Sequence, residues 1–347
     1  MNINPWRSTS VRTALEGRSF IDTKRIHIHS EQEASRFLEC YGFDFNDDAD
    51  KEELENLRLE AIELIEQELL GLDESIPESL KSEKDVRQYL LNASGHGDFK
   101  LAPWSGAILR VIHTLTHSHS YLNDVYHDPI RQQIFNRFEG HIHTKEGMKY
   151  LGDIKLLDIE FRTAKSRRSV AMKLMHKAEN VAADIFDWIG IRFITEYRAD
   201  VIDVLAYLRQ QHIVTYANIK PSRSRNTLID MDWLNACLDN GMSVEQIKSE
   251  MQSADFPPEK LINPEHTEYN QFTEVSYHSV QITCRQRIKI PQPDGKKLCF
   301  YFPFEIQMMD QKSYLQTRDG LASHKEYKKR QRNAVRKRIF PFLDELK

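Results

Sequence analysis

The sequence predicts an α+β protein, a mixed β-sheet flanked by helices, preceded by an α-helical N-terminal domain. Three observations carry this prediction. Residues 49–72 set Leu54, Leu57, Ala61, Ile62, Ile65, Leu69 and Leu72 at helical spacing, with Glu and Lys on the opposite side. From Tyr150 onward, short apolar runs alternate with helix-like segments. Near the C-terminus, Gln292-Pro-Asp-Gly-Lys separates two strand-like stretches in the manner of a hairpin turn. The expected organisation is a mostly helical domain of unassigned role over residues 1–150 and a sheet-bearing domain over 151–347.

In the first half, residues 1–20 read as a loosely docked arm. Ser30-Glu31-Gln32-Glu33 has the form of a capping box ahead of a short helix that ends near Tyr41-Gly42. Beyond the 49–72 helix, the pattern predicts helices over Ser82–Leu91, Pro103–Tyr121 and Ile130–Phe138, with a loop at Ser94–Phe99. The second half predicts an extended segment over Ile154–Phe161, a basic helix over Lys165–Val181 and a buried strand over Ile189–Thr195. A helix over Ala199–Gln211 and a short strand over Ile213–Ala217 come next. Asn218–Gln271 is long and irregular, with helices over Met231–Leu238 and Val244–Met251. Strands follow over Thr273–Arg287 and Lys297–Gln307. Pro303 in the second of these points to an edge or a bulge, because proline cannot donate to a ladder. A helix from Gln311 leads into the basic C-terminal segment.

The net charge of −4 gives no global nucleic-acid signature, yet the charge is uneven. Residues 31–80 hold 17 Asp/Glu and 3 Lys/Arg, whereas residues 325–338 hold eight Lys/Arg and one Glu. Such stretches meet different partners or attract each other. Cys40, Cys237, Cys284 and Cys299 are scattered without CxxC spacing, which indicates neither a zinc site nor a disulfide framework and suits a reducing compartment. The first 17 residues lack the apolar core of a signal peptide, and no run of 18 apolar residues occurs, so the expectation is a cytoplasmic protein without a membrane span. His113 and His117 stand four apart on a predicted helix, and His127-Asp128 is the dipeptide that holds metal in HD phosphohydrolases. No further ligands follow at recognisable spacing, so metal-dependent hydrolysis here is a rival reading only.

The residue that asks for a chemical reason is Glu305. Leu298-Cys299-Phe300-Tyr301 runs into Phe302–Gln307 as a strand, which puts Glu305 and Gln307 on one face. A carboxylate in a buried strand is costly unless a cation or a donor meets it. Asp187 stands just before the other buried strand, and Lys165, Ser169, Lys173 and Arg192 supply cations and a hydroxyl. Tyr277 lies on the strand expected to pair with that of Glu305. Two carboxylates suit Mg²⁺, basic side chains suit polyphosphate, and an aromatic ring suits a nucleobase.

The spacing of these residues resembles the synthetase domain of the RelA/SpoT family, across about residues 155–330. Lys165-x₃-Ser169-x₃-Lys173 is similar to the family's K-x₃-S-x₃-K segment, and Asp187-Trp-Ile-Gly-Ile-Arg192 to its D-x-I-[AG]-x-R strand. Ser276-Tyr277-His278-Ser279-Val280 resembles G-Y-x-S-[LI]. Glu305-Ile306-Gln307 matches E-I-Q, and Gly320 to Lys328, with His324 and Tyr327, matches G-x-A-A-H-x-x-Y-K. The resemblance implies a nucleotidyltransferase-like fold and a nucleotide pyrophosphokinase, which moves pyrophosphate from ATP to the 3′-hydroxyl of a nucleotide to make an alarmone-like product. It implies that Asp187 and Glu305 are catalytic and hold Mg²⁺, and that Arg162, Lys165, Ser169, Lys173 and Arg192 bind ATP. It also implies that Tyr277, Gln307, His324 and Lys220 meet the acceptor; Lys220 lies in Asn218–Arg223, which resembles the family's basic loop.

This chain departs from the family pattern at several positions. Ser276 replaces the Gly before Tyr, Gln281 replaces a His, and Met309 and Asp310 stand where the family has Arg and Thr. Thr163 occupies the position of an adenine-stacking Arg, with Arg162 one step away. About 50 residues separate the basic loop from Tyr277, where the family has a few. GDP or GTP is the first acceptor expected, with an adenine nucleotide or the 3′ end of tRNA as alternatives. The expected partners are therefore ATP, a nucleotide acceptor and RNA or tRNA, with no membrane and with room for a homo-oligomer. The rival within the same fold is a nucleotide- or RNA-binding regulator whose synthetase site has decayed.

Overall fold

The computed structural model describes residues 26–118, 121–162, 165–176, 187–252, 278–319 and 324–344. In chain order, helices α1 (Glu31–Tyr41), α2 (Asp48–Leu64), α3 (Glu78–Ser82), α4 (Val86–Ala93), α5 (Ala102–Thr116) and α6 (Tyr121–Phe135) come first. Strands β1 (Ile142–Lys145), β2 (Met148–Leu151), β3 (Ile154–Leu156) and β4 (Asp158–Arg162) follow, then α7 (Arg167–Met175), β5 (Gly190–Thr195) and α8 (Asp200–Gln210). The remainder is β6 (Arg225–Asn226), α9 (Met231–Asp239), α10 (Val244–Gln252), β7 (Val280–Pro291), β8 (Lys297–Asp310), α11 (Gln311–Asp319), α12 (His324–Ile339) and α13 (Pro341–Asp344). Among the described residues no helix is long and apolar enough to cross a membrane.

The chain forms two compact units that interleave along the sequence. One is Met1–Ser120, Ser166–Asp184 and Lys329–Lys347; the other is Tyr121–Lys165 and Ile185–Lys328. This division differs from a single cut at residue 150, and the reason is apolar surface. The helical unit draws Ala171, Met172 and Met175 from α7, and Val335, Ile339, Phe340 and Leu343 from the C-terminal helices, into one core with Leu54, Leu57, Ile65, Leu90, Ile108 and Val111. Trp104 seals that core, its ring centroid 5.6 Å from Phe340 and 5.3 Å from Phe342.

The uneven charge finds its use inside this unit. The acidic helix and the loop after it pair Glu60 with Arg167 at 2.6 Å, Glu63 with Arg168 at 3.0 Å, Glu68 with Arg332 at 2.6 Å and Glu74 with Arg336 at 2.6 Å. Arg58 is buried and held by both oxygens of Glu55 at 2.6 and 2.8 Å and by the Lys81 carbonyl at 3.0 Å. A buried guanidinium persists only when its donors are met.

Local signals mostly act as expected here. Ser30 caps α1 by accepting from Glu33 N, and Gly42 ends it at φ 94°. Glu33 reaches back to His29 N rather than to the cap residue itself, so the box closes one residue early. Three expectations shift. The Ser82–Leu91 helix begins only at Val86: Ser82 ends the short α3, and Asp85 accepts from Arg87 N and starts α4 afresh. The long helix widens into a π turn at Ile65–Leu69, after which Leu72 is fully exposed rather than part of the apolar stripe. The Pro103–Tyr121 helix stops at Thr116, with His117 as its cap.

The histidines of α5 face a tyrosine, not a metal cluster. The Tyr41 hydroxyl lies 2.9 Å from His113 Nδ1, and the His113 and His117 rings sit 4.6 Å apart, edge to face. His127 meets Asn123 Oδ1 at 3.2 Å, while Asp128 is exposed. Among the described residues no three His, Cys, Asp or Glu side chains gather as a metal site.

The second unit holds a three-stranded antiparallel sheet, β1-β2-β3, and a five-stranded mixed sheet in the order β4-β5-β8-β7-β6. The β1–β2 hairpin was not anticipated. Its turn, Glu146-Gly147, has φ 53° and 79°, the left-handed pair that a tight two-residue hairpin requires. In the larger sheet β5 and β8 run parallel and all other neighbours are antiparallel. Phe135 and Phe138 meet Phe161 and Phe193 on its apolar face, at ring distances of 5.0 and 6.2 Å. α6 bends at Tyr126 (φ −118°), as the ring of Pro129 requires. Ile213–Ala217 is not a strand: His212 turns the chain at φ 53°, and Ile213 and Val214 are buried as loop residues. β8 pairs with β5 only from Glu305 onward, so Pro303 lies on a stretch of ladder with one neighbour, in keeping with its edge signal.

Two outcomes follow for the helical unit. Phe340→Ala empties the centre of its core and is expected to lower stability by about 3–5 kcal/mol, read as a fall in the urea midpoint. Burial, aided by the His117 charge, holds His113 down to about 4. Its folded value lies below the unfolded one, so the stability it contributes is full above about pH 6.5 and is lost as pH falls towards 4. Urea midpoints measured across that window should fall, and His113→Gln should flatten the fall.

Candidate active site

The sheet register lines up one polar face. Because β5 and β8 pair with Gly190 opposite Glu305, and β4 pairs Arg162 with Gly190, one row across the sheet reads Arg162, Gly190, Glu305, Thr283. Two residues along, a second row reads Glu160, Arg192, Gln307, Gln281, Arg225. Side chains two apart on a strand share a face, so both rows look the same way. Phe161, Ile191, Ile306 and Ile282 fill the row between them and point to the apolar side. Gly190 has ordinary backbone geometry, and a Cβ there would meet nothing closer than 3.6 Å. What glycine supplies is an open floor between Arg162 and Glu305, whose strands are about 10 Å apart.

Hydrogen bonds tie these rows together. Arg192 donates from Nε to Gln307 Oε1 at 2.7 Å and from its terminal nitrogen to Glu160 Oε2 at 2.8 Å. The Tyr314 hydroxyl on α11 holds the other oxygen of Glu160 at 2.6 Å, and that bond pushes the phenol above its ordinary range. Gln281 Nε2 donates to Glu305 Oε2 at 2.5 Å. Glu305 is 9% exposed, so this donor meets the requirement that a buried carboxylate imposes. Asp187, three residues before Gly190, is held by Lys165 Nζ at 2.5 Å, with both side chains about 15% exposed. The start of β5 thus brings Asp187 to the end of the strand pair at which Glu305 stands. Magnesium takes one or two carboxylates plus phosphate oxygens, and Asp187 with Glu305 is a donor set of that kind.

The remaining predicted residues are distributed as follows. Arg162 is exposed at the end of β4. Ser169 and Lys173 lie on α7 in the helical unit, where Ser166 caps the helix and bonds to the Ser169 hydroxyl at 2.9 Å. Lys220 donates its backbone N–H to Thr283 O at 2.8 Å, which continues the Glu305 row by one more position. Tyr277 and Thr163 lie outside the described residues, and of His324 only its place at the start of α12 is described. Met309 and Asp310 are both buried: Met309 follows Gln307 on the same face of β8, opposite Ile194, and Asp310 caps α11 through Ser313 N at 2.9 Å and pairs with Arg198 at 3.7 Å. These two positions therefore serve packing and capping.

The residues that bracket the long segment before Tyr277 are bonded to each other. Thr227 N donates to Ser279 O at 2.9 Å, Ser279 N donates to Thr227 Oγ1 at 3.0 Å, and His278 Nδ1 meets Thr227 O at 2.8 Å. The basic loop of Lys220, Arg223 and Arg225 therefore lies beside β7 despite its distance in sequence.

Sequence reasoning missed Glu160 and Tyr314 as site members, and noted Gln281 only as a departure. The alternation Asp158-Ile-Glu160-Phe-Arg162 carried the signal for Glu160. Nothing local to α11 marks Tyr314.

No family model and no curated protein matches this chain. Among solved structures, it is similar to small alarmone synthetase 1 from Bacillus subtilis, at 11% identity over 65% of this chain and 93% of that one, with a TM-score of 0.30. It is likewise similar to small alarmone synthetase 2 from Bacillus subtilis, at 16% identity over 55% and 77% of the two chains with a TM-score of 0.27. A third is a GTP pyrophosphokinase family protein from Streptococcus pneumoniae, at 14% identity over 70% and 89% with a TM-score of 0.25.

The network around Arg192 makes one outcome specific. A lysine cannot span Glu160 and Gln307 with a planar fork. Arg192→Lys is expected to lower stability by about 1–2 kcal/mol, seen as an earlier urea midpoint, whereas Arg162→Lys at the exposed strand end should leave it unchanged.

Proposed function

We propose that this protein is a RelA/SpoT-type nucleotide pyrophosphokinase, which transfers pyrophosphate from ATP to the 3′-hydroxyl of an acceptor nucleotide. The observation that carries the reading is the two-row polar face, in which Glu305, Arg192 and Gln307 stand on adjacent strands in fixed register. Those are the residues that the sequence motifs single out for chemistry, and their register gives them one common face.

In the proposed reaction the acceptor 3′-oxygen attacks the β-phosphorus of ATP. The bond from that phosphorus to the α–β bridging oxygen breaks, AMP leaves, and the hydroxyl proton passes to the Glu305 carboxylate. Gln281 orients that carboxylate through its short hydrogen bond. Arg192, fixed on two sides, offers its remaining donors to phosphate oxygens, and Lys165 and Arg162 add positive charge. A fixed guanidinium loses little freedom on binding, and preorganised charge of this kind is the main source of rate in phosphoryl-type transfer. Magnesium, held by Asp187 and Glu305 when bound, would supply charge neutralisation at the phosphate oxygens. Gln307, Lys220, Tyr277 and His324 are the groups proposed to order the acceptor.

Incubation with ATP, Mg²⁺ and a panel of guanine nucleotides, adenine nucleotides and tRNA should yield AMP and a pyrophosphorylated acceptor. Glu305→Gln should lower the rate by at least about 10²-fold while circular dichroism stays unchanged. AMP formation that persists in Glu305→Gln would sink the assignment.

A further inference from the structure

β7 and β8 run on past the five-stranded sheet as a two-stranded ribbon, paired without a break to Pro291 and Lys297. Its rear face is apolar: Cys284, Ile288, Ile290, Phe302 and Phe304 are buried. α6 fixes the ribbon through Gln133, which bonds the Lys289 carbonyl and N–H at 3.0 Å each and the Gln286 amide at 2.8 Å. The front face alternates with it and is exposed: Arg285, Arg287 and Lys289 on β7, Lys297, Cys299 and Tyr301 on β8. These residues fall on the face of Thr283 and Glu305, because the register has no bulge between them. The polar face thus continues from the carboxylate out along the ribbon as a row of cations.

Four features give this surface a chemistry. From Val280 to Phe304 the sole acid is Asp294, in the hairpin turn, where it pairs with Lys296. Arg285, Arg287, Lys289 and Lys297 form no salt bridge among the described residues. Arg285 to Lys289 spans about 14 Å at the rise of an extended strand. Tyr301 is 56% exposed and lies directly across from Arg287, as an aromatic ring between cations. Spaced cations with an interleaved ring bind single-stranded nucleic acid, the cations meeting phosphates and the ring stacking a base.

We propose that the front of the β7–β8 ribbon is a binding track for single-stranded RNA, which delivers a 3′-terminal nucleotide to Glu305. The naming of that terminus as the reacting end rests on the transfer reading above; the track itself does not. The strand of RNA lies along Arg285, Arg287 and Lys289, stacks on Tyr301, and ends at the row of Glu305 and Thr283. A free mononucleotide would use the site without the track.

The test reads binding in the absence of ATP, by fluorescence anisotropy of a 12-nucleotide single-stranded RNA with a free 3′-hydroxyl, at several salt concentrations. The full-length protein should bind with a log–log salt slope of about −3, as four phosphate contacts require. The triple variant Arg285→Gln, Arg287→Gln, Lys289→Gln should lose more than tenfold in affinity and flatten the slope to about −1. Tyr301→Ser should weaken binding about fivefold or more without changing the slope. Where transfer to a mononucleotide is detected, the triple variant should retain it. Absence of RNA binding by the wild type, or an unchanged slope in the triple variant, overturns the track. So does capture by anionic phospholipid vesicles without RNA binding, which would give the face to a membrane surface. Failure of the transfer reaction alone leaves the track standing.

Discussion

The parallel pairing of β5 with β8 is the constraint on which the second unit rests. Register in a sheet is all or nothing: a slip by one residue turns every side chain to the other face. With Gly190 opposite Glu305, the Ile191–Ile306 row and the Phe193–Met308 row fall on the apolar side. The hydrophobic demand of that side is what fixes Glu305, Arg192 and Gln307 on the other. The polar face is thus a by-product of core packing, and its register comes from the side chains on the opposite, apolar face.

A second constraint acts on the charges. Acidic α2 and its following loop could have repelled the rest of a chain of net charge −4, but four of their carboxylates, Glu60, Glu63, Glu68 and Glu74, are each met by an arginine of α7 or α12. Pairs of this kind are individually weak at the surface. Their effect is on specificity: they select which face of each helix meets the acidic one, while Phe340, Ile339 and Met175 supply the burial that holds them. The basic C-terminal stretch is therefore spent in part on internal pairing, with Arg332 and Arg336 committed to Glu68 and Glu74.

The sequence made the elements legible wherever the apolar period was clear, as in α1, α2, α8 and the two strands of the long hairpin. It misjudged the places where a turn overrode a period. Asp85 restarted a helix inside an apparently continuous pattern, and His212 in a left-handed conformation turned an apolar run from strand to loop. The division into units was not legible because it depends on apolar surface contributed by segments more than 200 residues apart. On the candidate site's polar face, Glu305, Gln307 and Arg192 were visible by alternation and motif. Tyr314 was not, since its role is set by the position of α11 over β4 and not by any neighbour in sequence. Met309 and Asp310 read as departures from the motif alone; in three dimensions Met309 is fully buried and Asp310 starts a helix.

The clasp of Thr227 on Ser279 has a consequence for how this chain can change over generations. A segment whose two ends are already bonded to each other adds or sheds residues without moving the strands on either side. Under polymer statistics each doubling of its length costs only about 0.6 kcal/mol. The clasp therefore behaves as a splice point: sequence can enter there, diverge and be replaced, while β7 keeps its register and Gln281 keeps its hold on the carboxylate. A change of length there falls one strand away from Glu305 and leaves the β7–β8 register in place.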